Sequence, residues 1–361
     1  VEHGSIDTVF HKTYVDKMNA KFVPPGTEPL NLVMAAYAIY LATGNTIYSQ
    51  SIRASTISVY LRDAATLISH LDPIEDRDAR KMDNGITYIG IQKILAEVQR
   101  TEKIPNRREP YTLAMHRALF DKVKFLHIDS KTRALLDWNT VGLQGGFRRS
   151  EYCQTTSSGA LHQYETCDLG GPKAFAVNDV EFFSQQKVQL CREYALKHPD
   201  AVCFVKLQFR WQKNGRHGIH RWFARNLDKP FLCGVSAWIS IVDRFIRLLG
   251  MNCADKPLAI YQHAKSRAPR YITSTIATQE MRLLATAVHN ITKKEDLQKF
   301  SCHSLRVGAC CIYFASGVDP EFIKRVLRWE SDAWKLYVRD LQTTAVQVVE
   351  SMNYSDDLPV M

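Results

Sequence analysis

Two β-rich runs, 202–210 and 218–224, flank the hexapeptide Lys213-Asn-Gly-Arg-His-Gly218. Asn-Gly is the dipeptide that best tolerates positive φ at successive turn positions, so the segment predicts an antiparallel hairpin. Nearly everything around it has the three-and-four spacing of helices. A lone ribbon set among helices restricts the fold sharply. It excludes a parallel α/β sheet and an all-β sandwich, and it predicts a mainly α protein with a small β-sheet.

At 361 residues the chain is longer than one core comfortably serves, so two domains are expected. Residues 31–41 are apolar and read as a buried helix. Residues 55–71 place Ile57, Tyr60, Leu61, Ala64, Leu67, Ile68 and Leu71 on one helical face, and 90–100 forms a further helix. The segment Lys103-Ile-Pro-Asn-Arg-Arg-Glu-Pro110 is basic and proline-punctuated, as a linker would be. The expected layout is an all-helical domain over 1–104, a linker over 105–111, and a second domain of helix and strand over 112–361. In the second domain Thr112 caps a helix and 131–145 is helical. Residues 153–173 form a loop, and 173–177 with 179–183 read as strand and turn. Helices follow at 234–250, 278–290, 303–316, 319–328 and 331–351.

The formal net charge of +10 and a pI near 9.1 call for a polyanionic partner, nucleic acid or an acidic membrane surface. The longest apolar run, 32–42, is too short to span a bilayer, and no secretory leader is recognisable. Nine cysteines without a C-x-x-C pair read as free thiols in a reducing compartment. Cys302, His303 and Cys310 are close in sequence but lack zinc-ligand spacing, so no metal is expected. The expected location is intracellular, and nuclear if the host is eukaryotic.

The C-terminal third concentrates reactive side chains. His303 and Arg306 are three residues apart and share a helix face. Trp329 and Tyr337 follow in Arg328-Trp-Glu-Ser-Asp-Ala-Trp-Lys-Leu-Tyr337, while Arg148 lies far upstream in Gly145-Gly-Phe-Arg-Arg-Ser-Glu151. A phosphodiester under in-line attack gathers negative charge on its non-bridging oxygens, and a guanidinium fork suits two such oxygens at once. Arg148 and Arg306 are the candidates for that clamp. Glu151, one turn on, can orient Arg148 or a nearby histidine. Arg149 points elsewhere on the helix. His303 can accept a proton from the nucleophile or donate to a phosphate oxygen, Trp329 can donate its indole N–H, and Tyr337 is the candidate nucleophile. Tyr313, in an apolar run, and Tyr354, in an acidic tail, are poorer choices. Lys213 at the hairpin tip can protonate a leaving 5′ oxygen. Lys206, Arg210, Arg216 and Arg221 stand in the hairpin with interleaved aromatics and no acid between 205 and 225. They read as backbone contacts to DNA, as do Arg107 and Arg108 of the linker; an exposed basic hairpin and a solvated linker would carry the same charges.

In their order and spacing these residues resemble the tyrosine recombinase (phage integrase) family. The resemblance covers about 110–340 and rests on Gly-Phe-Arg148-Arg-Ser-Glu151, Lys213 after a strand, His303-Ser-Leu-Arg306-Val-Gly, and Trp329 followed by Tyr337. The eight-residue interval from Trp329 to Tyr337 is shorter than in many phage members and looks like the eukaryotic Crypton and DIRS-type transposon recombinases. The helical first domain is similar in layout to the family's core-binding domain. The resemblance implies a clamp around duplex DNA, a 3′-phosphotyrosyl intermediate at Tyr337, and strand exchange through a Holliday junction by four protomers, for integration or excision of a mobile element. It implies neither metal, nor ATP, nor any other cofactor. It also implies a C-terminal helix passed to a neighbouring protomer, for which Leu341, Ala345, Val348 and Met352 share a face; packing on the chain's own domain is the alternative. A type IB topoisomerase-like relaxing enzyme and an inactive DNA-binding regulator are the competing functions.

Overall fold

The computed structural model describes residues 30–44, 52–71, 78–82, 85–102, 107–155, 159–168, 170–212, 215, 217–329 and 334–338. The chain divides into two compact units, Val1–Pro105 and Asn106–Met361.

In the first unit α1 (Leu30–Ala42), α2 (Ala54–Leu71) and α3 (Ile89–Thr101) pack against one another. Ile57, Leu61 and Ala65 of α2 meet Met34, Tyr37, Ala38 and Leu41 of α1 and Ile91 of α3 in one small core. Of the face expected on α2, Ile57 and Leu61 are buried and Tyr60, Ala64 and Ile68 are half-buried against this core, while Ala65, outside that expectation, is buried with them. α1 is less covered than expected: Leu32, Ile39 and Tyr40 stay exposed. Two partner helices cover only part of a helix that is apolar all round.

The second unit is built around α5 (Lys131–Gly145), buried on nearly every face. It is covered by α4 (Leu113–Lys122), α8 (Gly234–Leu249) and α11 (His303–Ala315). Thr112 caps α4 by accepting the Met115 N–H, and Ser130 caps α5 by accepting that of Arg133. Trp138 of α5 stacks on Tyr152 and meets Trp238 of α8 edge-on, each at 5.5 Å. α11 lies close to the preceding chain: a Cβ on Gly308 would stand 2.2 Å from the Tyr111 carbonyl oxygen.

Against these helices lies an antiparallel sheet in the order β2-β1-β3-β4, of β1 (Val180–Phe183), β2 (Gln189–Leu190), β3 (Phe204–Phe209) and β4 (Ile219–Ala224). Val205, Leu207 and Phe209 alternate inward on β3, so the register Phe209↔Ile219 to Phe204↔Ala224 keeps one face in the core. The hairpin therefore forms where expected. Its connection spans 210–218, with Gly215 and Gly218 at positive φ; Asn214 lies outside the described residues. A two-stranded ladder, β5 (Ile260–Gln262) and β6 (Pro269–Tyr271), stands apart.

Among the described residues the architecture is mainly helical with a small antiparallel sheet. Local expectations need correction at three places. Residues 173–177 are no strand: Val177–Asp179 forms a 3-10 turn because Asp179 caps the Ala176 N–H at 2.8 Å, and β1 begins at Val180. The helix expected over 278–290 begins four residues earlier, as α9 (Ser274–His289), because Thr273 caps it. Of the helix expected over 331–351, only α13 (Lys335–Val338) falls within the described residues, and Leu341, Ala345, Val348 and Met352 lie outside them. No described helix is long and apolar enough to cross a membrane.

Candidate active site

The site forms where α5 ends. Gly146 adopts the left-handed conformation (φ 55°) and its N–H caps the Gly142 carbonyl, which stops the helix and turns the chain. Arg148 follows at the N-cap of the single-turn α6 (Arg149–Tyr152). Glu151 accepts the Arg148 backbone N–H at 2.8 Å, and the Arg148 guanidinium reaches the same carboxylate at 3.4 Å. Arg149 is exposed and points away, as its adjacent position requires.

α11 brings His303 and Arg306 to the same place from the other end of the domain. Arg306 is buried, donates Nη1 to the Gly146 carbonyl at 2.7 Å, and lies over the Trp329 ring at 4.7 Å. Its Nη2 is buried and has no hydrogen-bond partner among the described residues. Burial, and then the charges of Arg328 and Arg148, depress its pKa to about 9.

Tyr337, on α13, lies with its hydroxyl 3.1 Å from His303 Nε2. Its ring stacks on Trp329 at 5.9 Å with 20° between planes. Burial raises the phenol's pKa, and Arg306 opposes the rise. His303 is depressed to about 4 by burial and by Arg306, Arg108 and Arg148. The imidazole is therefore neutral near pH 7, and a neutral ring can accept the phenolic proton at Nε2.

Five of the residues singled out in the sequence, Arg148, His303, Arg306, Trp329 and Tyr337, thus meet in one place with Glu151 beneath them. Lys213 and Arg216 lie outside the described residues. Sequence reading missed Arg328. It is buried, donates to both Glu151 oxygens at 2.8 and 3.1 Å, and lies over the Phe209 ring at 3.8 Å. Burial and the neighbouring arginines pull its pKa down to about 10, while Glu151 opposes them. Its place immediately before Trp329 was the available signal.

The proposed basic ribbon looks different in three dimensions. Lys206 pairs with Glu181 at 3.2 Å and Arg210 with Asp179 at 2.8 Å, both acids supplied from β1 and the turn before it. Arg221 turns inward to the Gln144 carbonyl at 2.6 Å and the Tyr313 hydroxyl at 3.1 Å. Arg108 is exposed and donates to the Gln298 carbonyl, and Arg107 is exposed. Counting acids along one hairpin cannot reveal cross-strand partners. Among the described residues, no group of histidine, cysteine or acidic side chains is placed to hold a metal ion; Cys302 and Cys310 are buried free thiols.

No protein-family model and no curated protein matches the sequence. Among solved structures, the chain is similar to the Tn1549 transposon integrase in complex with transposon right-end DNA, with a TM-score of 0.46 and 11% identity over 98% of this chain and 94% of that one. It is also similar to a lambda integrase dimer bound to a COC′ core site, with a TM-score of 0.36 and 14% identity over 92% and 96%. A third similarity is to XerA recombinase, with a TM-score of 0.38 and 15% identity over 98% and 100%.

Proposed function

We propose that the chain is a tyrosine recombinase that cuts and rejoins duplex DNA through a phosphotyrosyl intermediate. One observation carries the proposal: a phenol in hydrogen-bond reach of a neutral histidine, beside a buried guanidinium with an N–H that no described residue accepts. Among the described residues, three guanidiniums, Arg148, Arg306 and Arg328, and one carboxylate, Glu151, stand around it. The excess positive charge and the spare donor suit a phosphodiester anion.

The Tyr337 oxygen attacks phosphorus, and its proton passes to His303. Arg148 and Arg306 offset charge on the non-bridging oxygens. The P–O5′ bond breaks, leaving DNA joined through its 3′ phosphate to Tyr337 and a free 5′ hydroxyl, to which Lys213 is the proposed proton donor. A 5′ hydroxyl from a partner strand attacks the same phosphorus, expels the phenol and restores a phosphodiester. Exchange through a Holliday junction in a tetramer, integration or excision of a mobile element, a C-terminal helix swapped between protomers, and action in a nucleus belong to this same proposal. Assignment to the Crypton and DIRS-type branch rests on the Trp329-to-Tyr337 interval alone. Arg107, Arg108, Arg149, Lys206, Arg210 and Arg216 are proposed to meet DNA, with Arg107, Arg108 and Arg149 the most exposed of those described; Arg221, turned inward to Gln144 and Tyr313, is not.

Incubation with a duplex nicked beside the cleavage point, which traps the covalent product, tests the mechanism. The wild type is expected to give a protein–DNA adduct resistant to denaturant, and Tyr337→Phe none. An adduct with Y337F would show that another residue is the nucleophile. DNA binding without adduct by the wild type would leave a DNA-binding regulator, and supercoil relaxation without strand exchange a topoisomerase.

A further inference from the structure

Resting on the recombinase reading, we infer that Arg328 is a positioning residue that fixes Arg148 for its contact with the scissile phosphate. It does so from two directions. Its side chain holds Glu151 through Nη2, at 2.8 and 3.1 Å, and donates Nη1 to the Gly145 carbonyl at 3.3 Å. Glu151 in turn holds the Arg148 backbone N–H. The Arg328 carbonyl accepts Arg148 Nη2 at 3.0 Å. Arg148 therefore meets Arg328 directly at one end of its fork and through Glu151 at the other.

The backbone explains how one residue serves both ends. Arg328 has φ 56°, a left-handed conformation that a side chain other than glycine, asparagine or aspartate takes at a cost. It lies just beyond α12 (Pro320–Val326), where Arg328 N–H reaches the Arg325 carbonyl at 3.2 Å and Trp329 N–H the Lys324 carbonyl at 2.9 Å. Those bonds close the helix end and fix the turn. The turn directs the Arg328 carbonyl to Arg148 and the next residue, Trp329, to Tyr337 and Arg306. The Phe209 ring, 3.8 Å beneath the guanidinium, completes its seat. A residue needed only to neutralise Glu151 would not have to bond Arg148 through its own main chain. Arg328 thus ties the Arg148 turn to the segment carrying the nucleophile.

The nicked duplex provides the test, with single-turnover adduct formation and DNA affinity measured separately. Arg328→Gly suits the left-handed backbone and keeps the main-chain carbonyl that holds Arg148, while removing the whole side chain. Arg328→Lys keeps the charge and loses the fork that reaches Glu151 and the Gly145 carbonyl at once. Each is expected to slow adduct formation on the order of tenfold to hundredfold while changing DNA affinity less than about threefold. Because Arg328 acts through Arg148, R148K/R328G is expected to be no more than about threefold slower than R148K. Added guanidinium ion is expected to restore part of the R328G rate, which loss of general stability would not allow. Should R328G fail to fold, R328K and R148K/R328K carry the same comparison. Wild-type rates in the position-328 variants, or a double variant slowed by the product of its single effects, would overturn the positioning role alone. Absence of adduct with wild-type protein that binds DNA would overturn the recombinase reading, and the role with it.

Discussion

Entry of a phosphodiester should change how His303 holds its proton, and the change can be read as a pH dependence of DNA binding. In the free protein His303 is depressed from 6.5 to about 4, first by burial and then by Arg306, Arg108 and Arg148. A phosphate anion among those arginines offsets the charge contribution and leaves the burial contribution. The bound value therefore lies between the free one and 6.5, and binding takes up a proton in that window. The sign follows: affinity rises as pH falls. Going from pH 7.5 to 5.5 at constant ionic strength, the gain is expected to stay below the roughly tenfold that full recovery to 6.5 would give, since burial persists. Tyr337→Phe blocks chemistry, so fluorescence anisotropy with a labelled duplex gives equilibrium affinities at both pH values. Y337F/H303Q subtracts every other titrating group. The pH-dependent gain is expected in Y337F and to be smaller in the double variant. Equal gains in the two proteins would mean that no phosphate sits beside His303 and would refute the placement of the scissile group.

Three further outcomes follow from the packing. Gly308→Ala would drive a Cβ to 2.2 Å from the Tyr111 carbonyl oxygen, backbone against backbone, and is expected to cost about 3 kcal/mol in urea unfolding; an unchanged midpoint would disprove so close an approach. Glu151→Gln leaves the buried Arg328 and its neighbour Arg148 without a countercharge, so about 3 kcal/mol of stability should be lost together with most adduct formation; calorimetry and the nicked duplex read the two effects. His116 is fully buried and depressed to about 4 by that burial, although it meets the Phe231 carbonyl at 3.0 Å. The unfolded chain takes up this proton near pH 6.5 and the folded one only near pH 4, so stability is complete above 6.5 and falls by up to about 3 kcal/mol towards pH 4. Titration of the His116 ring by NMR with a midpoint above 6 would exclude this.

What was legible in the sequence was whatever short-range periodicity or chemistry determines. The spacing of Ile57 and Leu61, the cap Thr112, and the hairpin around Gly215 each depend on a few neighbouring residues. The pairing of His303 with Arg306 is likewise local, a matter of one helical turn. Their convergence with Arg148 and Tyr337 came from chemical role, since only one set of cationic and nucleophilic side chains suited a phosphodiester. What was hidden depends on contacts between distant segments. Glu181 and Asp179 neutralise Lys206 and Arg210 across strands, and no count along the hairpin contains them. β2, β5 and β6 are two or three residues long, too short for alternation to show. Arg328 fell at the end of the helix expected over 319–328, whereas the helix stops at Val326, because the sequence does not announce a left-handed backbone at a non-glycine position.

That hidden residue bears on why the free site holds together. Burial lowers the pKa of both Arg306 and Arg328; Arg328 lowers that of Arg306 further, and Arg148 lowers both. Glu151 is the carboxylate bonded to Arg148 and Arg328, and Arg306 has instead the Gly146 carbonyl and the Trp329 ring. Repulsion among the three guanidiniums is thus restrained by carbonyl oxygens, at Gly145, Gly146 and Arg328, rather than by further acids. Carbonyl dipoles hold a cation without cancelling its charge, so the site keeps its pull on an anion. Further carboxylates would relieve the repulsion more fully and weaken that pull. The cationic groups are accordingly held in place in the free protein, and Arg306 Nη2 has no hydrogen-bond partner among the described residues.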